Sequence, residues 1–192
     1  MEQQTKESIS HIARQIVVDA YGLPTCTATV KVLKNVLDLG WGVELSPHVV
    51  SLKVVPREAF EISKNETLSI DEKQRLISRL PAGKRPISIE SSKNEMKFHI
   101  VGLTQLKGKG TFWDPSIDQV NQELDSCQFG PLVIPMSHSE IDADGNIRFV
   151  IDGCFLAYKE TKELEEKVYS LGVWRDDYSD LVADALRKCS NK

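Results

Sequence analysis

The sequence predicts a single α+β domain, 1–192, with N-terminal helices packed on an antiparallel sheet and helices closing the chain. Three observations carry this. Apolar residues recur at helical spacing near both ends of the chain. The middle is built of β-branched runs punctuated by glycine and proline. Helix and strand patterns are segregated rather than alternating as in a parallel βαβ protein. With 41% hydrophobic residues, 192 positions suffice for one buried core.

In the first helix Ile9, Ile12, Ala13, Ile16, Val17 and Ala20 share one face, and Gly22 ends it. A second helix starts at Thr25, a residue suited to the N-cap. It carries Cys26, Val30, Leu33 and Leu37 at helical spacing, with Gly40 at its C-terminal stop. Val43 to Val55 reads as a long strand, interrupted or bulged at Pro47. Residues 56–95 are polar and form an insertion or lid, with a short helix over 70–80 after Ser69 and loop from Lys84 to Asn94.

Strand 96–105, the turn Lys107-Gly108-Lys109-Gly110 and strand 111–114 follow. Ser116 can cap a short helix, and 131–136 is another apolar run. Asp144-Gly145 marks a hairpin turn between Ile141 and a strand over Ile147–Tyr158. The C-terminal helices occupy 159–192: one over 159–171, and one over 177–189 with Leu181, Val182, Ala185 and Leu186 on one face.

The charge balance, 24 Lys+Arg against 28 Asp+Glu, leaves −4 and no basic stripe, which excludes nucleic acid as an expected partner. The polar N-terminus has no apolar core of a signal peptide, and no window approaches 18 apolar residues. No membrane partner is expected, and the expected compartment is the cytoplasm. Cys26, Cys127, Cys154 and Cys189 lie far apart without CxxC spacing, so all four are expected as thiols, the last three as packing residues.

Cys26 is the most informative position. A thiol in the first turn of a helix faces unpaired N–H groups and the positive end of the dipole, which favour thiolate. Downstream lie His99, in the apolar run 96–103, and Asp114, in Phe112-Trp113-Asp114-Pro115-Ser116. Nucleophile, base and base-orienting carboxylate, in that order, outline a cysteine acyl-transfer enzyme. Each residue alone has a plainer reading: a core thiol, a satisfied strand histidine, a turn-former before proline. If the 99 and 114 strands pair through an even-numbered loop, paired positions sum to an odd number and both side chains project from one sheet face. That face is expected to pack on the helix carrying Cys26, with Phe98 and Ile100 facing the other way.

Other motifs carry less. Asp142-Ala143-Asp144-Gly145-Asn146 lacks the glycine and glutamate of a calcium loop at their required positions. His138 with Asp142 and Asp144 fixes no metal geometry, Gly108-Lys109-Gly110 lacks phosphate-loop spacing, and His48 beside Pro47 reads as structural. No cofactor and no metal are expected.

The run Pro24-Thr25-Cys26, the helix end Leu39-Gly40-Trp41-Gly42-Val43, the strand histidine and Phe112-Trp113-Asp114-Pro115-Ser116 together resemble the transglutaminase-like branch of the papain-like cysteine enzymes. The resemblance spans roughly residues 9–120 and extends to small bacterial and phage-borne members with an Asp-x-Ser/Thr-x-Asp-Gln pattern, here 114–119. It implies a catalytic triad of Cys26, His99 and Asp114, with Gln119 as polar support. It implies a peptide, protein or small amide substrate, and transfer of the acyl group to water or an amine. Ile100 stands where the family often has an aromatic or small residue after the histidine, and no glutamine precedes Cys26 at the papain-like distance. The alternative is an inactive binding or regulatory domain on the same fold.

Overall fold

Helix α1 (Gln3–Tyr21) buries Ile9, Ile12, Ala13, Ile16 and Val17, and α2 (Cys26–Trp41) buries Val30, Leu33, Val36 and Leu37. Both are the faces that the 3.6-residue period selects. α1 ends where Gly22 takes φ +75° and its N–H bonds to the Val18 carbonyl. α2 ends two residues later than the sequence suggested: Gly42, not Gly40, takes the left-handed conformation, at φ +60°. Gly40 stays helical, and a Cβ there would lie 3.0 Å from the Leu186 side chain of the last helix, α6 (Ser179–Ser190). Its smallness serves helix packing. This computed structural model describes all residues except 23, 24, 91–97, 107, 108, 126, 142, 143, 171–173, 175, 191 and 192.

The strands are β1 (Leu45–Val55), β2 (Ile87–Ile89), β3 (His99–Leu106), β4 (Lys109–Asp114), β5 (Leu132–Pro135), β6 (Glu140–Ile141), β7 (Ile147–Ile151) and β8 (Cys154–Glu160). They form one antiparallel sheet in the order β5-β4-β3-β1-β8-β7-β6, with β2 alongside β1. β1 is central and runs through Pro47 without a bulge, in unbroken register from Leu45↔Thr104 to Val50↔His99. The Pro47 carbonyl accepts from Tyr169 Oη of α5 (Lys162–Ser170), so its imino side also points away from β3. The missing N–H therefore costs the ladder nothing.

Two further expectations are corrected. The Lys84–Asn94 loop contains β2, whose Ile87–Ile89 pair with Val54–Leu52. The strand over Ile147–Tyr158 is a hairpin: Asp152 at φ +50° and Gly153 at φ +79° turn β7 into β8. Positive φ at both central residues is the type I′ geometry that Asp-Gly favours. Asp144-Gly145 does lie between paired Ile141 and Ile147, in a longer loop whose residues 142 and 143 fall outside the described ones.

The sheet is buried on both faces. Leu45, Val49, Ile100, Trp113 and Val133 pack with α1, α2, α5 and α6 on one side. Val50, Leu52, Val101, Phe112, Phe149, Leu156 and Tyr158 form a second core inside the curl of the sheet. Within 56–90 the chain forms helices and a strand rather than a bare loop. α3 (Arg57–Lys64) stacks Phe60 on Phe155 at 5.2 Å, and α4 (Ile70–Arg79) opens with a Ser69–Glu72 capping box.

The cysteine reading is corrected for two of the four. Cys127 and Cys154 form a disulfide, both buried in the second core, while Cys26 and Cys189 are thiols. The bridge joins the segment after the 3₁₀ turn Ile117–Glu123 to the start of β8, a meeting that sequence spacing does not encode. No helix among the described residues is long and apolar enough to cross a membrane.

Candidate active site

The β3–β4 hairpin sets the histidine and the aspartate on one face. Its register runs from Gly102↔Trp113 to Leu106↔Lys109, so two residues, 107 and 108, separate the strands. Paired positions sum to an odd number, and 114 falls opposite 101. His99, Val101, Phe112 and Asp114 therefore share a face. On the other face Trp113 Nε1 donates to Thr104 Oγ1 at 3.0 Å and fixes the strand.

His99 Nε2 lies 2.8 Å from Asp114 Oδ2, with both side chains essentially sealed from solvent, at 2% and 0% exposure. The carboxylate accepts two more hydrogen bonds, from Tyr158 Oη to Oδ2 at 3.0 Å and from the Ser116 N–H to Oδ1 at 3.2 Å. A buried charge with three donors is a satisfied one. The Cys26 side chain is the remaining partner of the imidazole, and its Sγ also donates to the Phe98 carbonyl at 3.7 Å.

The face on which this happens differs from expectation. Phe98 and Ile100 pack with the helices, whereas His99 and Asp114 point into the curl of the sheet. Cys26 does not reach His99 across the sheet face. The first turn of α2 stands at the start of β3, where the sulfur contacts the Phe98 carbonyl and the ring beside it. A helix N-terminus set at a strand end can touch a side chain that points away from the rest of that helix.

Electrostatics follow burial and charge. Burial disfavours the His99 cation, but the charge and hydrogen bond of Asp114, reinforced by Cys26, outweigh it, and the pKa is pushed up from 6.5 to about 10. Burial, then Asp114, raises Tyr158 well above its ordinary value, so its hydroxyl stays protonated and remains a donor.

The supporting residues divide. Thr25 holds the N-cap position of α2, but its side chain makes no cap bond; its carbonyl accepts from Thr29 Oγ1 instead. Gln119 is half-buried in the 3₁₀ turn after Asp114, its N–H bonded to the Ser116 carbonyl. Asp118 is ion-paired with Arg14 of α1, which pins that turn to the helix layer. Asp142, of the His138/Asp142/Asp144 set, lies outside the described residues. Residues 56–90 pack against β1 and β8, and 91–97, which lead into His99, are outside the described residues.

Sequence reasoning missed Tyr158. It sits in an apolar strand pattern and reads as a core aromatic. A buried tyrosine nonetheless needs a partner for its hydroxyl, and that was the available signal.

No family model matches the chain, and no curated protein does. Among solved structures, it is similar to the crystal structure of a genomics target. That likeness has a TM-score of 0.52 at 9% identity, covering 100% of this chain and 79% of the other. At that identity the likeness speaks for the α+β fold alone.

Proposed function

We propose that this protein is a cysteine-dependent acyl-transfer enzyme of transglutaminase-like, papain-like type, with Cys26, His99 and Asp114 as its catalytic triad. The observation that carries the reading is the buried 2.8 Å contact between His99 Nε2 and Asp114, with the Cys26 side chain near enough to favour the imidazolium. Proton transfer from Cys26 to His99 gives a thiolate–imidazolium pair. The thiolate attacks an amide carbonyl, and the N–H of Cys26, unpaired at the start of α2, faces the developing oxyanion. His99 then gives its proton to the leaving amine, leaving a thioester on Cys26. Water or a second amine, deprotonated by His99, releases the acyl group as acid or new amide. Asp114 holds the imidazole tautomer throughout. The substrate is a peptide, protein or small amide; Gln119, in the turn that follows Asp114, is assigned as polar support. A cytoplasmic setting would keep Cys26 reduced, but the Cys127–Cys154 disulfide weighs against it, since such bridges are rare in reducing compartments.

Incubation with p-nitrophenyl acetate tests the reading. One equivalent of nitrophenol should appear in a burst, and mass spectrometry should find a hydroxylamine-labile acetyl group on Cys26. Cys26→Ala and His99→Ala should each lose the burst. Turnover without an adduct on Cys26, or a burst that survives both changes, would mean that these residues do not form the reactive centre.

A further inference from the structure

A second cluster of ligating side chains stands across Val50 from His99, where β1, the end of β8 and the first turn of α5 meet. His48 Nδ1 is 2.7 Å from Glu160 Oε1 and 3.8 Å from Glu165 Oε1, and the three ligand atoms lie within 4.8 Å of one another. We propose that His48, Glu160 and Glu165 form a binding site for a divalent transition-metal ion of the zinc class.

Four observations carry it. The first is distance. Zinc binds imidazole nitrogen and carboxylate oxygen at about 2.0–2.2 Å, which sets its ligand atoms about 3–3.5 Å apart. The 2.7 and 3.8 Å separations bracket that spacing, and partly exposed side chains can adjust by the remainder. The second is donor type. One imidazole with two carboxylates suits zinc, whereas magnesium and calcium prefer all-oxygen shells.

The third is charge. Two carboxylates face one imidazole, and among the described residues Lys162 stands 3.6 Å from Glu160 Oε2 with its side chain 80% exposed. A divalent cation held between the two carboxylates neutralises both, which one exposed lysine does not. The fourth is room. A cavity of ≈ 90 Å³ opens beside the cluster, lined by His48, Glu160, Val50, Val101, Leu103 and Tyr158 among others. With three protein ligands, the open coordination position can hold a water directed there.

A plain His48–Glu160 ion pair explains the 2.7 Å contact but not why Glu165 converges on the same nitrogen at 3.8 Å. A metal ion would use all three ligands and staple α5 to two strands.

The test uses the full-length protein carrying Cys26→Ala, so that the thiol and His99 cannot compete for metal. Zinc chloride titrated by calorimetry should bind at one ion per chain and raise Tm. Cobalt(II) should give a nitrogen/oxygen-type spectrum without a sulfur-to-metal charge-transfer band. His48→Ala should abolish stoichiometric binding. Glu165→Gln, which leaves the strands untouched, should weaken it by at least about tenfold, since even outer-sphere losses cost that much. Absence of one-to-one binding, binding unchanged in either variant, or a cobalt–thiolate band pointing to Cys189 would each overturn the proposal.

Discussion

Tyr158 Oη donates to the same Asp114 oxygen that holds His99, at 3.0 Å against 2.8 Å. β8 and β4 are not neighbours, since β3 and β1 lie between them in the sheet. The contact therefore crosses the inside of the curl, among Phe112 and Phe149, whose rings stand 4.7 and 6.0 Å from that of Tyr158. A donor aimed at Oδ2 draws charge from the oxygen on which the imidazole depends.

Tyr158→Phe should fold, because the ring and its aromatic neighbours are kept. Losing one donor to a buried carboxylate should cost about 1–3 kcal/mol in urea denaturation. Oδ2 would then interact more strongly with His99, raising the histidine further. The alkaline limb of the activity profile should move to higher pH. An alkaline limb that stays put while stability drops would reduce Tyr158 to packing.

Asp114→Asn should leave a folded protein that has lost three to four orders of magnitude in acylation rate, as the imidazole adopts the wrong tautomer. Circular dichroism and single-turnover acylation measure the two effects separately. If the variant fails to fold, Asp114 acts chiefly as the acceptor that ties Ser116 and Tyr158 together.

Stability should fall with rising pH above neutrality. His99 binds its proton more tightly folded than unfolded, at about 10 against 6.5. The stabilisation is fully present below pH 6.5 and is lost as pH rises toward 10, because the folded state binds more protons across that window. Urea midpoints measured from pH 6 to 10 should show the decline. Asp114→Asn should flatten it, since burial then acts on His99 without the opposing carboxylate.

Iodoacetamide at neutral pH should alkylate Cys26 well before Cys189, and more slowly once His99 is alanine. After denaturation without reductant two thiols should label, and four after reduction, because Cys127 and Cys154 are bridged. Equal slow labelling of Cys26 and Cys189 would remove the case for an activated thiol.

Local signals were readable where chain neighbours decide the outcome. The faces of α1 and α2 follow from residues three and four apart, and the Ser69–Glu72 cap is complete within four positions. The shared face of His99 and Asp114 follows from loop parity alone. Pro47 misled because a missing N–H interrupts a strand only when it faces a partner, and here it faces outward. Asp152-Gly153 carried a turn signal of the same kind as Asp144-Gly145, hidden by the apolar run around it.

Sequence by itself determined the helix stripes, the strand alternation and the order of thiol, imidazole and carboxylate, because each is written within one element or one short hairpin. Tertiary structure alone decided that the His99 face turns inward, that α2 presents Cys26 at the end of β3, and that Tyr158 completes the carboxylate's shell. It also decided the Cys127–Cys154 bridge. Those contacts join residues 72, 44 and 27 positions apart. They depend on how strongly the sheet curls and where the helix layer sits on it. Curl and layer placement are set by the packing of two cores at once, and no local period records that.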